Sequence, residues 1–350
     1  PLVILQLYNH FHELPLTTML DLMTLLLLIV CGFSSSLFSF YLWASSPSYP
    51  QAKYAEILTS DFPHQRHIKE TYTVITYNIG YLSGLTNNQA VQRKKALFDE
   101  NIEIAIAALK PWNADFIAFQ EIDFASQRSY DINQVKALAT ALAFPMQATA
   151  INWDKNYVPF PIFPVYTHFG KLLSGQAVLS RYPIELNERI VLERLASKPF
   201  YEKPFYLDRL AQVTHLKIAN QILILINVHL EDVDLKTRLK QSQFILELFL
   251  SFYQKYPVLL IGDFNSEPPS EKNLEPTINL FLNTPGIKSA FPPETLNNPK
   301  NATYPSDKPR QTIDYIFYNS NRIQAIEWQV ITGILASDHL PVMMKFRIIS

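Results

Sequence analysis

At 350 residues the chain is long for one ordinary domain but suits a large α/β domain with a terminal appendage. Charged residues make up only 17%, and 30 Lys and Arg against 31 Asp and Glu leave a net charge of -1, so no basic excess points to nucleic acid and no acidic excess to disorder. One cysteine excludes an internal disulfide framework and a cysteine-based zinc cluster, and eight glycines exclude collagen-like or glycine-rich linker sequence.

The apolar residues are concentrated at the start. Residues 1–50 contain no Lys or Arg and only two acids, Glu13 and Asp21, which leaves 30 basic and 29 acidic residues in the rest. Leu22 to Ala44 is free of charge, includes the run Leu25–Val30, and as a helix is long enough to cross a bilayer core. We read 1–50 as a hydrophobic signal or membrane anchor, 51–70 as a linker and 71–350 as a catalytic domain; the alternative for the first segment is a buried helix. A start at Met19 or Met23 would make the segment signal-like, although no basic region precedes it. Cys31 follows Val30, too large a residue for a lipoprotein cleavage site, so a plain membrane-embedded cysteine is expected. Lys53, Arg66 and Lys69 after the segment favour a cytosolic body, whereas signal-like processing favours export. The side stays open, with a membrane-associated or exported, extracytoplasmic body as the working expectation.

Beyond the Pro/Ser-rich joint 45–50, strands and helices alternate. Thr73–Asn78 reads as a strand, Gln89–Lys110 as a helix halted by Pro111, Asp115–Glu121 as a strand and Asp131–Ala143 as a helix. Residues 152–169 form an aromatic, Pro-rich insertion, read as a packed loop, a lid or a membrane-contacting loop. Gln176–Ser180 is a short strand. Arg209–Lys217 and Gln221–His229 form a hairpin about an Ala219-Asn220 turn. Asp234–Tyr256 is the clearest helix, with Leu235, Leu239, Leu246, Phe249 and Tyr253 near one face. Val258–Ile261, Thr312–Tyr318 and Val342–Ile349 complete the strands. Strands outnumber helices and hairpins mix with crossovers, which predicts an α+β fold of two sheets packed face to face with helices outside.

Several of these strands end on polar groups that make no sense as core: Asn78, Glu121, Asn227 and His229, Asp263 and Asn265. Asp314 interrupts an apolar run, and Ser337-Asp338-His339 precedes the last strand. Strand ends gather at one sheet edge, so these groups can converge. Converging carboxylates repel unless a cation sits among them, and oxygen ligands favour Mg²⁺, Mn²⁺ or Ca²⁺ over zinc.

The segments Thr76-Tyr77-Asn78-Ile79, Phe119-Gln120-Glu121-Ile122, Gln176 to Pro183, Asn227-Val228-His229-Leu230, Gly262-Asp263-Phe264-Asn265, Ile313-Asp314-Tyr315-Ile316 and Ser337-Asp338-His339-Leu340-Pro341-Val342 occur in an order that resembles the endonuclease/exonuclease/phosphatase, or DNase I-like, superfamily. The resemblance implies a four-layer α/β/β/α sandwich and a phosphoester hydrolase in which water attacks in line beside a divalent metal, Mg²⁺ with Mn²⁺ or Ca²⁺ as alternatives. It implies Glu121 as main metal ligand with Asn78 and Asp338 in support. Asp263 would orient or deprotonate the water and Asn265 would donate to the phosphate. His339, its ring held by Asp314, would bond the phosphate, and His229 would face the phosphate or act as general acid. Asn227 and Arg209 are candidate substrate contacts, with a surface salt bridge as the alternative for Arg209.

The superfamily acts on nucleic acids and on phospholipids, so the fold leaves the substrate open. A histidine at 229, a body without a long basic run and the aromatic insertion lean toward a phospholipid, sphingomyelinase-like substrate. A DNase I-like nuclease is the runner-up, and an inactive membrane-tethered adaptor the third reading. Arg93-Lys94-Lys95, the densest basic cluster, falls on a predicted helix, where a solvated face is the default. The expected partners are the phosphoester, lipid head group or nucleic acid, and a membrane through the N-terminal segment, with a monomeric body.

Overall fold

The computed structural model describes residues 15–270 and 275–349, so positions 1–14 of the expected N-terminal segment, Glu13 among them, lie outside the described residues. The chain divides into two compact units, one ending at Ser46 and one starting at Pro47.

The first unit is the helix α1, Leu16–Ser45, 30 residues long. At 1.5 Å per residue it extends about 45 Å, more than a hydrocarbon core needs. Its side chains from Thr17 on are apolar all round and almost all exposed. Two of its polar side chains bond within the helix: the Thr24 hydroxyl donates to the Leu20 carbonyl and that of Ser36 to the Gly32 carbonyl, both at 2.8 Å. By length and composition this helix suits a membrane anchor or a signal sequence.

The second unit contains two mixed sheets. One has the order β1-β4-β5-β3-β2-β13-β12 and the other β10-β11-β9-β8-β7-β6. The strands are β1 (Ala55–Thr59), β2 (Tyr72–Asn78), β3 (Phe116–Asp123), β4 (Met146–Val158), β5 (Gly170–Ser180), β6 (Ile184–Val191), β7 (Leu210–Ile218), β8 (Gln221–His229), β9 (Val258–Asp263), β10 (Ile287–Ser289), β11 (Asp314–Asn319), β12 (Ile323–Val330) and β13 (Val342–Ile348). β1 lies inside the expected linker and pairs with β4 at the sheet edge. The helices are α2 (Lys95–Leu109), α3 (Gln134–Ala141), α4 (Leu235–Tyr253) and α5 (Pro276–Leu282). Only two neighbouring pairs are parallel, β2 with β3 and β8 with β9. Each needs a crossover, which α2 and α4 supply. The expected α+β, DNase I-like sandwich is the observed fold.

Central strands such as Val258–Ile261 are apolar on both faces because one face meets the opposite sheet and the other a helix. Gly262 adopts φ +138°, and a Cβ there would lie 1.9 Å from the Val228 carbonyl oxygen, so only glycine lets β9 run this close to β8. Between the sheets, Gln120 donates to Asn227 Oδ1 at 2.7 Å, and Asn227 donates to the Phe119 carbonyl and to Gln212 Oε1, each at 3.1 Å. Such a buried network fixes how the sheets register on each other.

The structure shortens several predicted elements. α2 begins at Lys95 instead of Gln89, so Arg93 and Lys94 precede the helix, and Arg93 bonds the Thr86 and Gln89 carbonyls. α3 begins after Asn133, whose side chain accepts the Lys136 N–H and caps it. Asp234 caps α4 the same way, accepting from Thr237 N at 2.9 Å. The 152–169 insertion divides: its first part belongs to β4, which pairs along β5, and 159–169 form the hairpin tip.

At the root of that hairpin lies a buried ion pair. Arg128 donates to Asp123 Oδ1 at 2.9 Å, and its guanidinium carbon sits 3.4 Å from the centre of the Tyr81 ring. The hydroxyls of Ser126 and Ser129 complete the Asp123 carboxylate, each at 2.8 Å. Replacing Arg128 with methionine strands that charge and costs about 3–5 kcal/mol of stability, to be read as a lowered urea midpoint; an unchanged midpoint would show the pair to be energetically idle.

Candidate active site

The register of the second sheet sets one row of side chains at its edge. Asp314 on β11 lies opposite Asp263 on β9, and Asp263 lies opposite His229 on β8. His229 in turn faces Leu210, one residue beyond Arg209. In the first sheet, Asn78 ends β2 and pairs with Gln120 of β3. The turn into β13 carries Ser337, Asp338 and His339. With Glu121, eight of the ten expected residues thus meet where the two sheet edges face each other.

Asp263 is fully buried and engaged on both oxygens. One accepts the Asn78 side-chain amide at 2.9 Å, the other the backbone N–H of Asn265 at 2.8 Å. His339 Nδ1 lies 3.0 Å from Asp314 Oδ2, which orients the ring and leaves Nε2 facing Asp263 Oδ2 at 3.8 Å. The Ser337 hydroxyl accepts the His339 N–H at 3.1 Å and donates to the Asn78 carbonyl at 2.8 Å, fastening the turn before β13 to the end of its neighbour β2. Burial pushes the Asp263 carboxyl above its ordinary range; His339 opposes the shift and Asp314 adds to it. For His339 burial disfavours the charge, but Asp314 and Asp263 outweigh it and raise the pKa.

Glu121 reaches the site through a defect in its strand. The pairing of β3 with β5 shifts register between Phe119 and Ile122, and Glu121 takes φ +50°. A bulge beside a functional edge re-aims a side chain at the cost of local strain. Asn87 Nδ2 donates to Glu121 Oε2 at 3.0 Å and to Asp338 Oδ1 at 3.3 Å, so one neutral amide bridges two carboxylates. Among the described residues, the nearest ionisable nitrogen to Glu121 is His229 Nε2 at 3.9 Å. Burial and then the Asp338 charge push the Glu121 carboxyl up. Gly80 closes the floor at φ +52°: a Cβ there would stand 2.7 Å from Asp338 Oδ1.

This pair of oxygen donors, close together and without a bonded cation, fits a hard divalent ion. Asp263, Asp314 and His339 also cluster within 4.8 Å. Within that cluster Asp263 is bonded on both oxygens and His339 is bonded to Asp314 Oδ2, while Asp314 Oδ1 is buried without a hydrogen-bond partner among the described residues.

Arg209 is buried, which removes the surface alternative. Its Nη1 lies 2.5 Å from His229 Nε2 and its Nη2 donates to Asp232 at 2.8 Å, with Glu231 3.7 Å from Nε. Burial, then the charge of Arg209, hold the His229 pKa well below its ordinary value. The ring is therefore neutral, with Nε2 accepting from the guanidinium.

Three expected residues stand differently. Asn227 is fully buried with its amide committed to the inter-sheet network, so the structure does not bring it to the cleft. Asn265 donates its side-chain N–H to the Leu230 carbonyl at 3.0 Å while its backbone closes an Asx turn on Asp263. Asn78 uses its N–H on Asp263 and its Oδ1 on the Gly80 N–H at 3.1 Å, so it acts here as an organiser of Asp263. Two further residues escaped the sequence reading. Asn87 lies in a turn with no strand pattern to flag it, and Tyr304 stacks beside His339 with ring centres 4.9 Å apart.

The fold and the site have counterparts. The sequence profile of the Endonuclease/Exonuclease/phosphatase family matches residues 75–339. An endonuclease/exonuclease/phosphatase from Beutenbergia cavernae DSM 12333 superposes with TM-score 0.57 at 18% identity, over 80% of this chain and 72% of that one. The human Nocturnin catalytic domain with bound sulfate gives TM-score 0.55 at 18% identity, over 86% of this chain and 100% of that one. Truncated Caenorhabditis elegans TDP2 gives 0.53 at 14%, over 79% and 97%. No curated protein matches the sequence. At such identities the solved structures speak for the fold alone, whereas the family profile spans residues 75–339, most of the body. The chain belongs to the endonuclease/exonuclease/phosphatase family.

Proposed function

We propose that the body is a divalent-metal-dependent phosphodiesterase, with a phospholipid as substrate. The observation that carries the reaction class is the buried Asp263–His339–Asp314 cluster facing the Glu121–Asp338 carboxylate pair across one edge. Family members are generally phosphoester hydrolases, and the donors described above suit a hard cation.

Glu121 and Asp338 would hold the metal, with Asn78 at its margin; the bound ion would act as a Lewis acid on the phosphate. Asp263, its carboxylate fixed by Asn78 and the Asx turn, orients water for in-line attack and takes its proton. His339, fixed by Asp314, donates from Nε2 to a phosphate oxygen. Of the two roles open to His229, a neutral ring whose Nε2 accepts from Arg209 has no proton to give a leaving group, so it would face the phosphate side by holding the Arg209 guanidinium there. Asn265 keeps the Asp263 turn closed and lies within the loop that would meet the phosphate. A near-balanced body charge and the aromatic hairpin support a lipid over a nucleic acid, whose binding draws on many phosphate-neutralising cations.

The test is hydrolysis by the purified full chain of sphingomyelin vesicles, phosphoinositide vesicles and plasmid DNA. A chelator is expected to abolish turnover and Mg²⁺ to restore it. Activity that survives chelation would remove the metal from the mechanism, and plasmid nicking without lipid hydrolysis would replace the substrate with DNA.

A further inference from the structure

Two loops that the proposed reaction does not use carry large exposed rings. At the hairpin tip 159–169, Phe163 is 76% exposed and Tyr166 72%, flanked by exposed Ile162 and Val165. In the loop before β7, Phe200 is 82% exposed. Large apolar side chains exposed in such number mark an interaction site. Both loops stand on one small core, separate from the main one, of Trp153, Val158, Phe169 and Leu172 with Phe205 and Leu207 packed against it. Trp153 Nε1 donates to the Phe205 carbonyl at 2.8 Å, joining the two loops directly.

Beside this core opens a cleft of about 450 Å³, lined by five Lys and Arg side chains, Arg194, Lys198 and Lys203 among them, against two carboxylates, Asp154 and Asp208. Asp208 is already shared by Arg189 and Arg194 at 2.9 and 2.8 Å, so the cleft keeps a positive excess.

These features lie at the same edge as the candidate active site. Asp123 of β3 pairs with Ser174, and β4 and β5 continue past it to Val158 and Gly170, so the hairpin overhangs the end of β3 that carries Glu121. The other loop runs straight into Arg209, and the Tyr206 hydroxyl donates to Glu231 at 3.0 Å.

We propose that this edge docks on an anionic phospholipid bilayer, the exposed rings entering the interface and the Lys/Arg cleft taking lipid phosphate. Aromatic rings flanking cations suit the headgroup boundary, where rings find both apolar and polar surroundings and cations meet negative lipid. The positive excess of the cleft complements anionic lipid, and the same chain carries α1, a helix long and apolar enough to cross a membrane. A nucleic acid would meet the same cations but leave Ile162 and Val165 in water. The proposal builds on the phospholipid reading, yet docking and hydrolysis are measured separately.

The test uses the full chain with Cys31→Ser and a single labelled cysteine, Phe163→Cys carrying a polarity-sensitive fluorophore. On phosphatidylcholine–phosphatidylserine vesicles its emission is expected to shift to the blue, while on pure phosphatidylcholine it shifts far less. The same label at Asn220→Cys, in the β7–β8 turn at the opposite end of the body, stays at its aqueous emission. Lys198→Glu with Lys203→Glu loses the phosphatidylserine response. Equal emission on both vesicle types, an equal shift at Asn220, or a blue shift induced by an oligonucleotide without vesicles would overturn the proposal. A shift without turnover of any phospholipid leaves docking standing and removes the lipid substrate; lipid turnover without a shift removes docking alone.

Discussion

His339→Ala is expected to lower phosphoester turnover by roughly 10²–10⁴-fold, the range for losing a positioned proton-transfer or phosphate-bonding group. The ring is held from one side by Asp314 at 3.0 Å and faces Asp263 with the other nitrogen, so its removal empties the centre of the cluster. The same substitution leaves Asp314 buried without its partner, an orphaned carboxylate that costs stability as well. Asp314→Asn separates the two effects. It keeps the shape and removes the charge that orients and supports His339, so turnover falls while the melting temperature moves little. Steady-state kinetics beside thermal melts check both. If His339→Ala retained a tenth or more of wild-type turnover, the assignment of the cluster to the reaction would be lost.

Glu121→Gln gives the second large effect, and its sign differs between activity and stability. In the metal-free protein, Glu121 and Asp338 share one amide donor from Asn87, and burial and their mutual repulsion outweigh the support of His339 and Arg209. Neutralising Glu121 relieves that repulsion, so the metal-free variant melts at the same temperature as wild type or higher. The metal response goes the other way. An ion that binds only the folded state stabilises it by mass action, and the variant keeps only a neutral amide oxygen where the proposed site has a charged carboxylate. Its Mg²⁺ affinity is expected to fall by more than the 10–100-fold typical of losing an outer partner, with turnover lost alongside. Melting curves with and without Mg²⁺, together with calorimetric titration, read this directly. A Mg²⁺-induced rise in melting temperature equal to that of wild type would place the ion elsewhere, with Asp263, Asp314 and His339 as the next candidates.

Much of the fold was legible because its central strands are short apolar runs bounded by turn residues. Val258–Ile261 and the Gln221–His229 hairpin stand out in this way. The strands that escaped are those whose sequence serves another purpose. β12 and β6 lie at sheet edges with most of their positions exposed or half-buried, and they read as polar chain. β4 carries Asp154, Lys155 and Asn156, residues that strands disfavour. Asp154 is used instead as an acceptor for Ser48, Tyr49 and Tyr54, which fastens the start of the body to the sheet.

The site was legible where chemistry interrupts a strand, as at Asp314 and His229, and illegible where geometry alone recruits a residue. Asn87 carries no periodic signal, and the role of Asn227 as an inter-sheet strut follows only from knowing which strand it faces. Arg209 stood between two readings in the sequence because its partners, His229, Asp232 and Glu231, are set by the β7–β8 register and the turn that follows it.

The last strand, β13, returns from the far end of the chain to pair with β2 near the beginning of the body. The cluster is assembled across the same span, since Ser337 bonds the carbonyl of Asn78, 259 positions away. During synthesis the apolar helix leaves the ribosome before the body does, whereas His339 follows almost all of the body. Contacts of such long separation form late in folding. The growing polypeptide would therefore reach its bilayer, if α1 delivers it there, as a hydrolase without an assembled centre, and would not begin to cleave phosphoesters until almost the whole body had emerged.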